Sequence, residues 1–356
     1  MNSIENTSTC EISAKSNLLI RLSVPSNTIQ AKNLRVDTYA SFWIQREMLF
    51  DQIRTNSYRR AILDQVKQGD VVVDFGAGTG ILSMFAAKAG AKKVYALEIT
   101  DMADVAVEMI KRNKLDHIIT VIKQDGSTVQ LPEKADVLVS EWMGGLGVDE
   151  NFVPPLLATR NNVLKPNGIM IPATAKGYAA LADDPSLTTI LSFWYSKPYD
   201  LDLDMMGEFH GNTVLNARHS VLPDQLLSKE EELYELIMKS ANKIDADFSF
   251  SGESRIIKDG SLSCIAAWFQ CDMGNQTVLS NAPDKPATHW GRTSFPIYPP
   301  IPVSAGQIVR WTLSSSGVDL MKAIQSWSIR VPMPDGSVVE RKFSGTQTPV
   351  HSSLFH

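Results

Sequence analysis

Val71-Val72-Val73-Asp74-Phe75-Gly76-Ala77-Gly78-Thr79-Gly80 is the stretch that decides the fold of this 356-residue chain. Its apolar run suits a strand buried on both faces, its glycines a tight bend, and the following Ile81-Leu82-Ser83-Met84-Phe85-Ala86-Ala87-Lys88-Ala89 a helix stopped by Gly90. Together they open a βαβ unit. A second apolar strand, Val94-Tyr95-Ala96-Leu97, ends in Glu98, which brings a carboxylate beside the bend where a ribose hydroxyl could be held. A dinucleotide site uses the same parts, but its third small residue would fall at position 81, and that position is Ile81. The spacing is G-x-G-x-G.

With Asp74 ahead of the glycines and Glu98 closing the next strand, the turn resembles the S-adenosylmethionine site of class I methyltransferases. Downstream, Ser140-Glu141-Trp142-Met143-Gly144-Gly145-Leu146-Gly147-Val148-Asp149-Glu150 carries two glutamates in one loop. Paired carboxylates match the planar fork of a guanidinium bidentately, so the expected substrate is an arginine side chain or a related guanidine. A guanidinium, with a pKa above about 12.5, has no free lone pair at neutral pH. Two carboxylates that draw its charge toward the nitrogens they bind would leave another nitrogen electron-rich.

From Asp37 onward the chain resembles the protein arginine methyltransferases over nearly its whole length. The resemblance rests on Tyr39-Ala40-Ser41-Phe42, Glu47-Met48-Leu49 with Asp51, Arg54-Thr55 and Tyr58-Arg59, then Asp74 to Gly80, Glu98, Ser140 to Gly144, and Thr288-His289-Trp290. It implies an α/β Rossmann-like methyltransferase domain followed by an antiparallel β-barrel domain, with a helical dimerisation arm near 192–218 and a homodimer. Phe193-Trp194-Tyr195 and Met205-Met206 in that arm suit a patch that docks on a partner subunit, or equally on the chain's own barrel. The cofactor, S-adenosyl-L-methionine, is expected against Tyr39, Met48 and Arg54, the turn residues Asp74, Gly76, Gly78 and Gly80, and Glu98, Asp125, Gly126 and Ser127. Arg54 is expected to pair with the cofactor's carboxylate, or with Asp51. Tyr39 is expected to close over the cofactor and Met48 to limit room at the accepting nitrogen, with core packing as the alternative for both. Glu141, Glu150, Trp142, Met143, His289 and Trp290 form the expected substrate set. The proton acceptor is Glu150, or His289 oriented by Asp51.

Departures from the family pattern gather at the substrate entrance. Arg35 and Val36 stand where two aromatics are usual, Gln45 for a histidine, Gly145 and Asp149 for aromatics, and Ser127 for a glutamate that meets the adenine amino group. The methyl-transfer apparatus is kept while the walls around it change. Arg35 and Asp149 also have the signs needed to hold the α-carboxylate and α-amine of free arginine.

With 44% hydrophobic residues the chain can bury the cores of two domains. The boundaries are read as a polar, partly disordered segment at 1–36, the cofactor domain at 37–172 and the barrel domain at 173–356. A net charge of −5 argues against a nucleic-acid footprint and suits cationic substrates. Three cysteines, Cys10, Cys264 and Cys271, form neither a disulfide framework nor a metal motif, so no metal is expected and the thiols should be reduced in a cytoplasmic setting. No apolar stretch reaches the roughly 18 residues of a membrane helix. Helical patterning runs over 37–66, Lys165-Pro166-Asn167-Gly168 reads as a turn, and Lys229-Glu230-Glu231-Glu232 reads as a solvated helix face. The expected activity is methyl transfer to a terminal guanidino nitrogen of arginine in protein. Methylation of free L-arginine or another small guanidine is the alternative, and a catalytically silent scaffold the reading of another class.

Overall fold

The computed structural model describes residues 39–217, 221–319 and 322–346. The first 36 residues, with Cys10, Arg35 and Val36, lie outside them, as does Arg218.

Two helices come first, α1 (Phe42–Phe50) and α2 (Gln52–Gln65). They meet at Asp51, whose extended backbone interrupts the helical path and whose Oδ1 accepts the Arg54 N–H at 2.9 Å, capping α2. The βαβ reading of the next segment holds. β1 (Val71–Phe75) leads through the glycine turn into α3 (Ile81–Ala89), which Gly90 ends in the left-handed conformation. β2 (Lys93–Leu97), α4 (Met102–Arg112), β3 (Ile119–Ile122), β4 (Ala135–Ser140), α5 (Val153–Val163) and β5 (Leu164–Ile171) complete this layer.

The sheet is parallel, in the order β3-β2-β1-β4-β5. The strand order reverses between β1 and β4, and the crevice outside the carboxyl ends of strands at such a switch point is where ligands sit. Phe75 pairs with Ser140, so Gly76 and Glu141 leave the sheet side by side. The expected turn at Lys165–Gly168 is instead part of β5, where the pairing with β4 shifts register between Ala135 and Val137. β5 is an edge strand, and an edge tolerates Pro166 without its N–H.

The rest of the chain is antiparallel. β6 (Thr174–Ala182), β7 (Leu215–Ala217), β8 (Glu231–Ile237), β9 (Phe248–Arg255), β10 (Gly260–Asp272), β11 (Val278–Ser280), β12 (Arg292–Val303), β13 (Ile308–Asp319), β14 (Lys322–Pro332) and β15 (Val338–Thr346) follow. They form a six-stranded sheet, β7-β12-β10-β6-β8 with β11 on β10, and a four-stranded sheet, β15-β14-β13-β9. The expected barrel architecture thus takes the form of two sheets that share a core. Trp327 of β14 crosses between them, edge-on to Phe295 at 5.4 Å and donating its N–H to Pro296 O at 2.8 Å. The charged run at Lys229–Glu232 leads into strand β8 and not a helix. Its alternation, with Tyr234 and Leu236 buried between exposed Glu235 and Ile237, has period two. Cys264 and Cys271 are buried, unpaired residues of β10.

A helical hairpin, α6 (Pro185–Tyr195) and α7 (Asp204–Gly211), is inserted between β6 and β7. It opens at Pro185, ahead of the expected Ser192, because Asp184 caps the amides of Ser186 and Leu187 at 3.0 and 3.2 Å. The Trp194 indole N–H donates to His210 Nδ1 at 2.8 Å and ties the two helices together. Among the described residues no helix is long and apolar enough to cross a membrane.

Candidate active site

Gly76, Gly78 and Gly80 all have positive φ, at 73°, 53° and 78°. At Gly76 a side chain would meet only open space, so the demand there is conformational; at Gly78 a Cβ would lie 3.0 Å from Gln45 Oε1. Glu98 braces the turn by accepting the Gly78 N–H at 2.8 Å, and it accepts the Thr100 N–H at the same distance. Beneath it Asp74 is wholly buried, with Oδ2 taking the Ser83 N–H and hydroxyl at 2.9 and 2.7 Å and Oδ1 left without a hydrogen-bond partner. Burial pushes this carboxyl up to about 6 against the Ser83 bonds. An orphaned buried oxygen, open space over the left-handed Gly76 and an adjacent carboxylate with spare lone pairs fit a nucleoside cofactor that carries positive charge.

Glu141 follows β4 directly. Its Oε2 accepts from Arg54 Nε at 3.0 Å and Arg54 Nη2 at 2.7 Å, and its Oε1 from the Met143 N–H at 3.1 Å. The loop then folds back on itself through reciprocal Gly144–Gly147 bonds of 2.9 and 3.0 Å. Glu150 ends a single 3₁₀ turn at Val148–Glu150, and its Oε2 receives the Tyr39 hydroxyl at 2.5 Å. Burial first, then the neighbouring Asp149 and Glu141, push the Glu150 carboxyl up to about 8 against that hydrogen bond.

His289 reaches the same region from the turn before β12. Asp51 Oδ2 accepts its backbone N–H at 2.8 Å and lies 2.9 Å from its Nδ1. Burial lowers the imidazole's proton affinity against the support of Asp51, while Asp51, itself buried, is held below the usual carboxylate range by those bonds and the Arg54 N–H. The carboxylate assigns the remaining ring proton to Nδ1, leaving Nε2 as the acceptor.

Residues 173–322 match the model described as arginine methyltransferase oligomerization subdomain, and residues 55–171 that of ribosomal protein L11 methyltransferase. Protein arginine N-methyltransferase 6 of Danio rerio is 35% identical over 71% of this chain and 76% of its own length. Protein arginine N-methyltransferase 1 of Caenorhabditis elegans is 33% identical over 78% and 82%. The chain belongs to the protein arginine N-methyltransferase family. Membership makes it an enzyme with S-adenosylmethionine as methyl donor. Among solved structures, protein arginine methyltransferase 1 of Trypanosoma brucei, in an enzyme–prozyme heterotetrameric complex with AdoHcy, superposes with a TM-score of 0.79. It is 26% identical and covers 87% of this chain and 100% of its own. Protein arginine methyltransferase 10 of Arabidopsis thaliana gives 0.75 at 25% identity, over 88% and 100%.

In this arginine methyltransferase several of the expected site residues hold one another. The Arg54 side chain is paired with Glu141 and not with Asp51, because the Glu141 carboxylate offers its fork a buried counter-charge. Met48 lies along the same guanidinium, with its carbonyl 3.3 Å from Arg54 Nη1 and its sulfur 3.8 Å from Nη2. Tyr39 is bound to Glu150 and packs edge-on to Phe152 at 5.8 Å, so its hydroxyl serves the glutamate loop. Asp125 turns onto its own Ser127, taking the N–H and the hydroxyl at 2.8 Å each, while Gly126 fits against the Phe75 ring at the end of β1. Trp142, Met143 and Trp290 are core residues under the loop: Trp290 donates to Met143 O at 2.7 Å and stands edge-on to Phe269. Asp149 is buried under the loop. Its Oδ1 accepts the Leu146 N–H at 3.0 Å, so tightly under the loop that a Cβ on Gly144 would come within 2.4 Å of it.

Four supporting contacts escaped the sequence reading, two from residues of the family pattern, Gln45 and Tyr58, and two from residues outside it, Tyr234 and Asn281. Gln45 donates to Tyr39 O at 2.8 Å, and the Tyr58 hydroxyl to Ser140 O at 2.9 Å. The Tyr234 hydroxyl donates to Leu146 O at 2.6 Å, and Asn281 to Gly145 O at 2.8 Å. The one available signal was chemical: polar side chains inside apolar strand or helix patterns, which need partners when buried.

Proposed function

We propose that this enzyme methylates a terminal nitrogen of an arginine guanidinium, with arginine residues in protein as substrate. The observation that carries the reading is the pairing of a guanidinium fork with Glu141, which receives both Nε and Nη2 of Arg54 beside the glycine turn. A second carboxylate, Glu150, ends the same loop. When bound, S-adenosylmethionine supplies an electrophilic sulfonium methyl. Glu141 and Glu150 hold the incoming fork and draw its charge toward the nitrogens they bind, leaving a terminal nitrogen electron-rich. The incoming guanidinium competes with Tyr39 for Glu150. Glu150, with its carboxyl pushed up to about 8, is suited to take the proton released from the methylated nitrogen, and Nε2 of His289 is the second acceptor.

Protein substrate is favoured over free arginine because the relatives this chain resembles are protein arginine N-methyltransferases, and because Asp149 Oδ1 already holds the Leu146 amide. Mass spectrometry after incubation with labelled cofactor, offering an arginine-rich peptide and free arginine separately, tests this. Labelled peptide is expected; saturable labelling of free arginine with an inert peptide overturns it.

The homodimer belongs to the same proposal. Met205 and Phe209 on the helical hairpin are 64% and 63% exposed, and Phe42 and Phe50 on α1 are 72% and 68% exposed, two apolar surfaces suited to pair between copies. The oligomerization model covering 173–322 supports it. Replacing 185–211 by a short linker should give a monomer in sedimentation, and an unchanged dimer would remove the hairpin from the interface.

A further inference from the structure

Three side chains from the antiparallel half each hold one carbonyl of the glutamate loop. Trp290 takes Met143 O at 2.7 Å, Asn281 takes Gly145 O at 2.8 Å and Tyr234 takes Leu146 O at 2.6 Å. Asn281 differs from the other two. Its Nδ2 also donates to Gly291 O at 2.6 Å, and its Oδ1 accepts the Phe269 N–H at 2.8 Å, in a side chain that is almost wholly buried. One amide group therefore joins the loop that carries Glu141 and Glu150, the turn that carries His289, and strand β10.

The turn from Thr288 to Gly291 closes through Gly291 N–H to Thr288 O at 3.2 Å, and Gly291 is left-handed at φ 65°. Asp51 holds its His289 end and Asn281 its Gly291 end. Only a primary amide supplies two N–H donors and a carbonyl acceptor from so short a stem. Aspartate has no donor and would set charge against two carbonyl oxygens, and leucine would leave all three backbone groups unpaired in the core.

We propose that Asn281 is a positioning residue that sets the glutamate loop and the His289 turn at a fixed separation, so that two carboxylates and one imidazole meet a single guanidinium. It rests on the reading that Glu141, Glu150 and His289 serve arginine methylation. Positioning of this kind acts on turnover, since a misplacement of about 1 Å in a reacting group can cost about a hundredfold in rate.

The full-length chain tests it with Asn281→Leu, and with Asn281→Ser if the leucine variant does not fold. Tyr234→Phe is the comparison, because it removes one hold on the same loop without touching the His289 turn. Turnover of an arginine-rich peptide by Asn281→Leu should fall by about 30- to 100-fold. Cofactor affinity, by calorimetry, should stay within about twofold, because the glycine turn makes none of these contacts. In nitrogen-15 spectra, the His289 imidazole and the Trp290 indole N–H, assigned through Trp290→Phe, should shift in Asn281→Leu. In Tyr234→Phe the His289 signals should keep their wild-type positions. Wild-type turnover well below the melting temperature, unmoved His289 signals in Asn281→Leu, or equal His289 shifts in both variants would each overturn the proposal. Failure of the wild-type chain to methylate any arginine would instead sink the functional reading, and the spectra would still decide whether Asn281 couples the two loops.

Discussion

The glycine turn and the glutamate loop leave neighbouring strands side by side, yet they are held in opposite ways. The turn is fastened locally: Asp74 bonds Ser83 nine positions on, and Glu98 reaches back twenty positions to Gly78. The loop is fastened from afar, by Arg54 at a separation of 87 residues, Tyr234 at 88, Tyr39 at 111, Asn281 at 136 and Trp290 at 147. One region can take shape with the βαβ unit alone. The other exists only once the antiparallel sheets and the leading helices have docked on it, which places half of the site's geometry under the control of residues far away in the chain.

The largest effects should come from the loop's two carboxylates. Glu141→Gln and Glu150→Gln should each lower turnover by roughly 10²–10⁴, the scale for losing a positioned electrostatic or proton-transfer group, with cofactor affinity changed only a few-fold. Radiolabel transfer and calorimetric titration separate the two quantities. Parallel loss of both would mean that the turn and the loop are not independently held. Glu98→Ala should do the reverse and weaken cofactor binding by about tenfold or more, as the expected ribose contact and the brace on Gly78 go together. An unchanged dissociation constant would take Glu98 out of the cofactor site.

The same contrast explains what the sequence made readable. β1, its turn, α3 and Glu98 appear as one contiguous pattern, because apolar runs, glycines and a strand-end acid report local geometry directly. Glu141 and Glu150 were visible as a pair for the same reason. Their partners were not: nothing local indicates that Arg54 would turn to Glu141, that Tyr39 would meet Glu150, or that Asp149 would fold under its own loop. These contacts depend on how separate elements dock, and a carboxylate, an arginine and a tyrosine each have several equally good partners until that docking is fixed. The Asp51–His289 pair was expected from the family's pattern and is present in the geometry.

A pH profile sharpens the comparison further. The clamp needs the Glu150 carboxylate, and the free enzyme holds that group's proton up to about 8, so kcat/KM should rise with pH and level off near that value. Asp149→Asn removes a negative neighbour and should move the inflection to lower pH, although burial, the larger cause, remains. A profile flat between pH 6 and about 9 would contradict the assignment. Stability runs the other way. Because the folded value lies above the ordinary 4.5, the folded chain binds this proton more tightly, and the group's contribution to stability falls as pH rises from 4.5 through about 8. Glu150→Gln, which can still accept from Tyr39, should flatten that decline in a series of thermal melts.

The smallest effects set one remote hold against one local one. Tyr234→Phe leaves Leu146 O without its buried donor, at a cost of about 1–3 kcal/mol, and should lower turnover several-fold with no change in cofactor affinity. Ser83→Ala removes one of the two bonds to Asp74 Oδ2 and keeps the other, from the Ser83 N–H. The loss is about 1 kcal/mol, so cofactor affinity should weaken by no more than about fivefold and turnover at saturation should stay unchanged. The Asp74 carboxyl, already pushed up to about 6 by burial, would also rise, since the lost hydroxyl favoured its charged form. Cofactor binding to Ser83→Ala should therefore fall off at a higher pH than in the wild-type chain as the solution is acidified. Calorimetry between pH 5 and about 8 reads this directly. If Ser83→Ala instead lowered turnover while Tyr234→Phe loosened the cofactor, the division between a locally held turn and a remotely held loop would be wrong in both halves.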